Sequence, residues 1–342
     1  MVKSGFRLTL GVWFLWLSGA AYAQGVGVEL QMTTAAPASG IRSMGMGGVF
    51  VTLSDPANLR NPAMLLDLPG DPARVQRHWV ALGGVIDRET GADHAILSAT
   101  VTAVRPGREA FLTRLVRLRS GRYAFQPPGQ PLLTRRDRFD ALFLGYGRCL
   151  SSRTALGLVT STSLNRVDLF NPATGTLVSA LDVKTELGFE LGLRHRLTSR
   201  WTLGAGFARR DLEERTYPVD PSQVQVVDFR ADIFRVGVSF AADARTLLAL
   251  EYGGLEVKNR TTGEKADDRR YYLGGERYLT DWLALRVGSF GDALSLGLGY
   301  RSGGWQVDYA YVKDLNKDSA EDLLGRPVPS SDTHFVSVRR AW

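Results

Sequence analysis

Charge at every second position is the first chemistry the chain offers. Glu186, Glu190 and Arg194 alternate with apolar Leu187, Phe189, Leu191 and Leu193, with Gly188 and Gly192 sharing the polar side. The arrangement returns at Arg235 between Phe234 and Val236, at Glu251 between Leu250 and Tyr252, at Arg286 between Leu285 and Val287, and at Asp308 between Val307 and Tyr309. Glu276 belongs to the same set. A period of two puts successive side chains on opposite faces of a strand. Each segment therefore has a greasy face and a face of glycine and charge. Charges at low dielectric must be paired or hydrated. The charged face could line a ligand path, or it could be an ion-pair network that fills an enclosed space and fixes its walls.

Other chemistries find little support. Nucleophilic catalysis needs a nucleophile with a positioned base, and His78, His94, His195 and His334 are scattered, with no Ser/His/acid setting around them. Glu186 and Glu190 are paired carboxylates, but same-face spacing along one strand arises readily by chance. No enzyme is expected. With four His and the single Cys149, no zinc ligand cluster is visible, and no disulfide framework can form within the chain. Gly45-x-Gly47-Gly48 lacks the spacing of a phosphate-cradling loop, so no cofactor is expected. Of the 42 basic residues only six are Lys. So arginine-rich a balance reflects base composition more readily than nucleic-acid binding, and no nucleic-acid partner is expected. A moderately basic exported protein could instead meet anionic lipid head groups.

The elements that would position these charges are strands. No apolar run reaches the ~18 residues of a membrane-spanning helix. Lys3 and Arg7 precede the apolar run Leu8 to Leu17, and Ala21-Tyr22-Ala23 has the small-x-small cleavage pattern. Residues 1–23 thus read as a secretory signal peptide cut before Gln24, which leaves the net charge at +5 instead of +7. No Cys follows the cut, so a lipoprotein is not expected. Residues 24–39 are small, polar and unpatterned, the mark of a flexible or plug-forming arm.

The hairpin from Glu186 to Phe207 is the unit that the rest repeats. Strands are expected near 75–86, 93–104, 138–149, 153–164, 180–196, 201–213, 225–241, 245–257, 268–279, 282–290, 292–301, 304–314 and 332–342, with a short one near 47–53. Many strands at regular spacing with no helical period argue for an all-β protein. A soluble sandwich and a membrane barrel share this alternation. The links decide between them. Long links at 105–137, 165–179, 214–224, 258–267 and 315–331 alternate with short ones at 87–92, 150–152, 197–200, 242–244, 279–282 and 302–303, the tight link at Phe290-Gly291 excepted. Short turns at one end and longer loops at the other belong to outer-membrane barrels. Trp201, Tyr252, Tyr271, Trp282, Tyr300 and Trp305 suit interfacial girdles. The alternating stretch Phe335 to Trp342 ends on an aromatic, as bacterial outer-membrane barrels do, and Arg340 can snorkel to the interface. Between Arg105 and Arg138 lie nine arginines. Phe111, Leu112, Leu115, Val116 and Leu118 there would suit a short amphipathic helix, and the arginines a solvated loop or a surface against lipid phosphates.

One stretch stands apart. Arg42-Ser43-Met44-Gly45-Met46-Gly47-Gly48-Val49-Phe50-Val51 is followed by Ala57-Asn58-Leu59-Arg60-Asn61-Pro62-Ala63-Met64-Leu65. Gly45, Gly47 and Gly48 permit positive φ and close backbone approach, and Pro62 restricts Asn61. A tightly folded plug suits this composition better than a lipid-facing strand does. The stretch resembles the N-terminal signature of the FadL-type outer-membrane proteins, which include long-chain fatty-acid transporters and PorV-like proteins of a secretion system. The match is good at the glycines and at Asn61-Pro62-Ala63; Met64 stands where Gly is usual and Arg60 where an aromatic is common. The resemblance implies a transmembrane antiparallel β-barrel of about fourteen strands in a bacterial outer membrane, with residues 24–66 as plug and 67–342 as barrel. It implies passive transport of a hydrophobic, fatty-acid-like molecule, with Gly45, Gly47, Gly48, Asn61, Pro62 and Ala63 on the ligand path. It leaves open a scaffold or shuttle role with a secreted protein as partner. Outer-membrane lipid is a partner under either reading.

Overall fold

The computed structural model of the protein describes residues 40–46, 48–53, 61–67, 76–87, 92–105, 108–125, 131–218, 224–291, 293–314 and 332–341. The signal segment, Gly47, the Ala57 to Arg60 half of the glycine-rich signature and Trp342 lie outside them. A short helix α1 (Ile41–Gly45) and a 3-10 turn (Pro62–Asp67) precede the strands. These are β1 (Gln76–Asp87), β2 (Ala92–Arg105), β3 (Glu109–Ser120), β4 (Tyr123–Phe125), β5 (Leu133–Cys149), β6 (Thr154–Phe170), β7 (Leu177–Arg196) and β8 (Trp201–Pro218). They continue with β9 (Gln225–Ala241), β10 (Thr246–Asn259), β11 (Lys265–Tyr278), β12 (Leu283–Phe290), β13 (Ala293–Ser302), β14 (Trp305–Lys313) and β15 (Asp332–Ala341).

All strands join one antiparallel sheet in sequence order, and β1 pairs with β15 along Trp79 to Asp87. The three-residue β4 pairs with β5 alone, beside the β3–β5 ladder, so fourteen strands make the closed wall. Closure leaves no edge with unpaired backbone groups, a condition for any sheet that spans lipid.

The alternation sorts the two faces. Outward along β8 stand Trp201, Leu203, Ala205 and Phe207, and then Arg209, Asp211, Glu213 and Arg215. Their partners on β9 change character at the same height, from Phe240, Val238, Val236 and Phe234 to Asp232 and Arg230. On β10 and β11 the change comes between Tyr252 and Glu256, and between Tyr271 and Arg269. An apolar band thus encircles the turn-end half of these strands. Beyond it, outward charges pair across strands, as Arg209 with Asp232 at 2.7 Å, Arg230 with Asp211 at 3.0 Å and Lys265 with Glu256 at 3.1 Å. Both margins of the band carry rings. Trp201 lies 4.5 Å from Phe240, and Trp282 5.7 Å from Tyr300, near the turns; Tyr252 packs at 5.0 Å against Tyr271 near the loop side. These are the girdles read from the sequence. Arg340 lays its guanidinium 5.1 Å over the Trp305 ring, the interfacial posture expected of it.

Three expectations are corrected. Of the strand expected at 47–53, the described residues 48–53 form no strand but a turn buried inside the barrel. The fourteenth strand is instead β3, in the stretch read as a long loop or helix, and β5 begins at Leu133, not near 138. The added strand also reverses the first two links. β2 and β3 meet at the short-turn end and β1 and β2 at the loop end, so the loop-to-turn alternation holds without the long 105–137 excursion.

Leu250, exposed on the outer face of the band, provides a test. Leu250→Arg should cost about 2–4 kcal/mol in denaturant unfolding from lipid vesicles. Asp267→Arg, outside the band, should stay within about 1 kcal/mol.

Candidate functional site inside the barrel

Inside the wall lie α1, residues 46 and 48–53 and the 3-10 turn, nearly all buried against the inward faces of the strands. Two features of the wall seat this segment. The first is a set of inward glycines. A Cβ on Gly192 would stand 2.1 Å from Asn61 Oδ1, one on Gly204 2.2 Å from the Val51 carbonyl, one on Gly274 2.3 Å from the Met46 carbonyl and one on Gly157 2.4 Å from the Ala63 nitrogen. The segment lies backbone to backbone on strands that only glycine leaves low enough.

The second is charge. Arg42 on α1 donates to Glu276 through Nε (2.9 Å) and Nη2 (2.6 Å). Glu276 also accepts from Arg286 Nε at 2.8 Å, Arg286 Nη1 donates to Asp308 at 2.7 Å, and Asp308 accepts from Arg339 (3.2 Å) and Gln306 (2.8 Å). Charge alternates in sign along this line, so Glu276, Arg286 and Asp308 are each compensated on both sides. A second anchor uses Glu251, fully buried. Its carboxylate accepts the backbone N–H groups of Phe50 (3.0 Å) and Thr52 (3.2 Å) and the Thr52 hydroxyl (3.2 Å). Arg235, 3.5 Å from that carboxylate, donates to the Gly48 carbonyl at 2.5 Å and lies over the rings of Tyr272 (3.8 Å) and Phe50 (4.7 Å). Gly48 has φ +71°, the left-handed conformation expected of it.

Asn61-Pro62-Ala63 acquires a local explanation. Asn61 Nδ2 donates to the carbonyls of Val51 (2.7 Å) and Leu193 (2.9 Å), tying the two halves of the segment and the wall together. Its Oδ1 accepts from the Ala63 N–H (3.2 Å), and its carbonyl accepts from Met64 (3.0 Å). Pro62 opens the 3-10 turn, where its missing N–H costs nothing.

Of the charges expected in the lumen, Glu190, Arg235, Glu251, Glu276 and Arg286 face inward, as do Arg194 and Asp308. Glu190 receives Arg210 at 2.5 Å. Glu186 is a correction: it is exposed on the outside, 3.2 Å from Lys184. A β-bulge between Thr185 and Gly188 breaks the alternation, so Glu186 and Leu187 both face out. Gly45 touches the wall at Gly297, its would-be Cβ 3.0 Å from the Gly297 Cα. Sequence reading missed the roles of Arg42 and Arg339; Arg42 was visible in the signature as the one cation beside a glycine run.

Part of the inner wall is apolar. Leu112, Val116 and Leu118 of β3 and Phe139, Ala141 and Phe143 of β5 form a buried cluster with Val159 of β6 and with Leu66 and Ala63. Nearer the loops, Leu133, Val167, Leu169, Leu181 and Val183 form another. The three histidines whose side chains are described stay apart. His94 Nε2 meets Asp137 at 3.1 Å, His195 meets the Thr154 hydroxyl at 2.9 Å and His334 the Tyr309 hydroxyl at 2.9 Å. Ser120, opposite His94 in register, gives its hydroxyl proton to the Gly121 carbonyl. Among the described residues no group of His, Cys, Asp and Glu could hold a metal ion.

The chain matches no family model and no curated protein. Solved structures do resemble it. The Ralstonia pickettii toluene transporter TbuX shares 14% identity at a TM-score of 0.60, covering 88% of this chain and 97% of that one. The Pseudomonas putida toluene transporter TodX shares 13% at 0.55, covering 88% and 97%. A Pseudomonas aeruginosa FadL homologue shares 14% at 0.58, covering 89% and 98%. The chain has the fold of these transporters. The barrel expected from the sequence is therefore the barrel found, and two of those neighbours are toluene transporters.

Unseating the inner segment is measurable. In a Cys149→Ser, Thr52→Cys background, maleimide labelling should be slow. Gly192→Ala, whose Cβ collides with Asn61, or Glu276→Gln should speed it by at least about tenfold, since breaking a buried ion pair costs about 3–5 kcal/mol. The heat-modifiable mobility of the barrel in electrophoresis should not change.

Proposed function

We propose that the protein is an outer-membrane channel through which a hydrophobic small molecule diffuses, with the segment from residue 40 to 67 as its plug. The observation that carries this reading is the apolar inner sector of β3, β5 and β6. A general aqueous pore has a polar lining, whereas here Leu112, Val116, Phe139 and Phe143 lie beside one another where the wall meets Leu66 and Ala63. Ligand sites for small molecules are largely apolar with a few placed polar groups, and this sector fits that description. The cluster around Leu169 and Leu181 continues it towards the loops. The fold shared with toluene transporters supports the same cargo class. No feature of the described residues favours the alternative scaffold for a secreted protein.

In this reading Gly45, Gly48, Asn61, Pro62 and Ala63 keep the path closed until the plug shifts. The ionic anchors at Glu251 and Glu276 hold it without sealing it covalently, so passage is passive and needs no energy source.

Uptake decides the matter. Cells expressing the protein should take up labelled toluene or oleate faster than cells with an empty vector. Val116→Asp or Phe143→Asp should cut the initial rate by about tenfold, because an unpaired carboxylate on the path is costly to pass and to bury. Equal uptake with and without the protein, and only bulk lipid in solvent extracts of the purified barrel, would turn the reading to the scaffold.

A further inference from the structure

Outside the barrel, just beyond the apolar band, one sector differs from the rest. Arg119 of β3, Arg138 of β5 and Arg166 of β6 are directly opposite one another in register across three adjacent strands. Like charges so placed repel. Arg117 and Arg136 flank the row. Asp140 accepts from Arg117 (2.9 Å) and Arg119 (2.7 Å). Asp168 alone accepts from Arg136 (2.7 Å), Arg138 and Arg166 (2.9 Å), while Asp182 stands 3.7 Å from Arg166. Five guanidinium groups thus share three carboxylates, and the Nε of Arg138 has no acceptor among the described residues. Beyond the band on β8 to β11 the pairs are near one-to-one instead, such as Arg209 with Asp232 and Lys265 with Glu256. On the membrane side of the row, past Arg117 and Asp140, the outward residues include the exposed Leu115, Leu144 and Leu164.

Surplus arginine above exposed leucine is matched by an anion that carries acyl chains. Guanidinium forks bind phosphate in a bidentate manner, and basic groups at the membrane surface attract anionic headgroups. We propose that the Arg119, Arg138 and Arg166 row is a headgroup site for a phosphate-bearing lipid of the leaflet next to the loops. The phosphate lies among the three guanidinium groups, relieving their repulsion, and the acyl chains lie on Leu115, Leu144 and Leu164. The inference rests on the outer band facing lipid and not on what passes through the lumen.

The test is native mass spectrometry of the full-length barrel released from dodecyl maltoside micelles doped with lipid A, with its dephosphorylated form, or with inorganic phosphate. The wild type should retain phosphorylated lipid A over the dephosphorylated form. Arg138→Gln with Arg166→Gln should weaken retention by about tenfold or more, as loss of charge-assisted contacts does, while Arg209→Gln with Arg230→Gln should leave it unchanged. Equal weakening by both pairs, or no weakening by the first, overturns the proposal. So does displacement of the lipid by inorganic phosphate alone, which would make this a free-anion site. Should the Gln pair fail to fold, Arg138→Lys with Arg166→Lys keeps the charge and removes the forks. Reduced retention then supports the site, and full retention overturns it.

Discussion

Each strand of a barrel this size faces two incompatible surroundings within the width of one backbone, and the interior has to be filled without leaving a charge alone. A bare carboxylate at the position of Glu251 would be prohibitively expensive. It is tolerated because two backbone N–H groups and a hydroxyl of the inner segment turn to it, with Arg235 close by. The dependence runs both ways. Residues 50–52 have no strand partners of their own, and Glu251 satisfies the N–H groups that their turn would otherwise leave orphaned.

The glycines and the ions divide the labour. Glycine at 157, 192, 204 and 274 lets the segment come close, which fixes where it can lie. The line from Arg42 to Arg339 fixes which side of the lumen it leans on. Neither is strong evidence of stability by itself, since buried ion pairs recover little more than their desolvation. Together they define one seat.

How much of this the sequence disclosed depends on how well each strand kept its two faces distinct. The hairpin of β7 and β8 was legible because one side is leucine and phenylalanine and the other is glycine and charge. Where a bulge intervened, at Thr185 to Gly188, the reading of Glu186 failed. β3 escaped notice for a different reason. Phe111 and Leu115 face out while Leu112, Val116 and Leu118 face in, so both faces are apolar and the period of two disappears. What concealed the strand is the apolar inner lining on which the transport reading stands. Val49 and Val51 erred in the opposite sense: they alternate like a strand but are buried on all sides. The ion line joins residues far apart in sequence, and no spacing rule could have paired Arg42 with Glu276.

That separation has a consequence for assembly. Arg42 and Glu276 lie 234 positions apart, and the wall seals only when the last strand finds the first. The segment is therefore among the earliest parts made and among the last to be given its partners. Contacts of such span slow folding. Once the seam zips, the segment is enclosed like a ship whose bottle was blown around it. The glycine seats and the ion line therefore have to hold the segment in place while the wall closes around it.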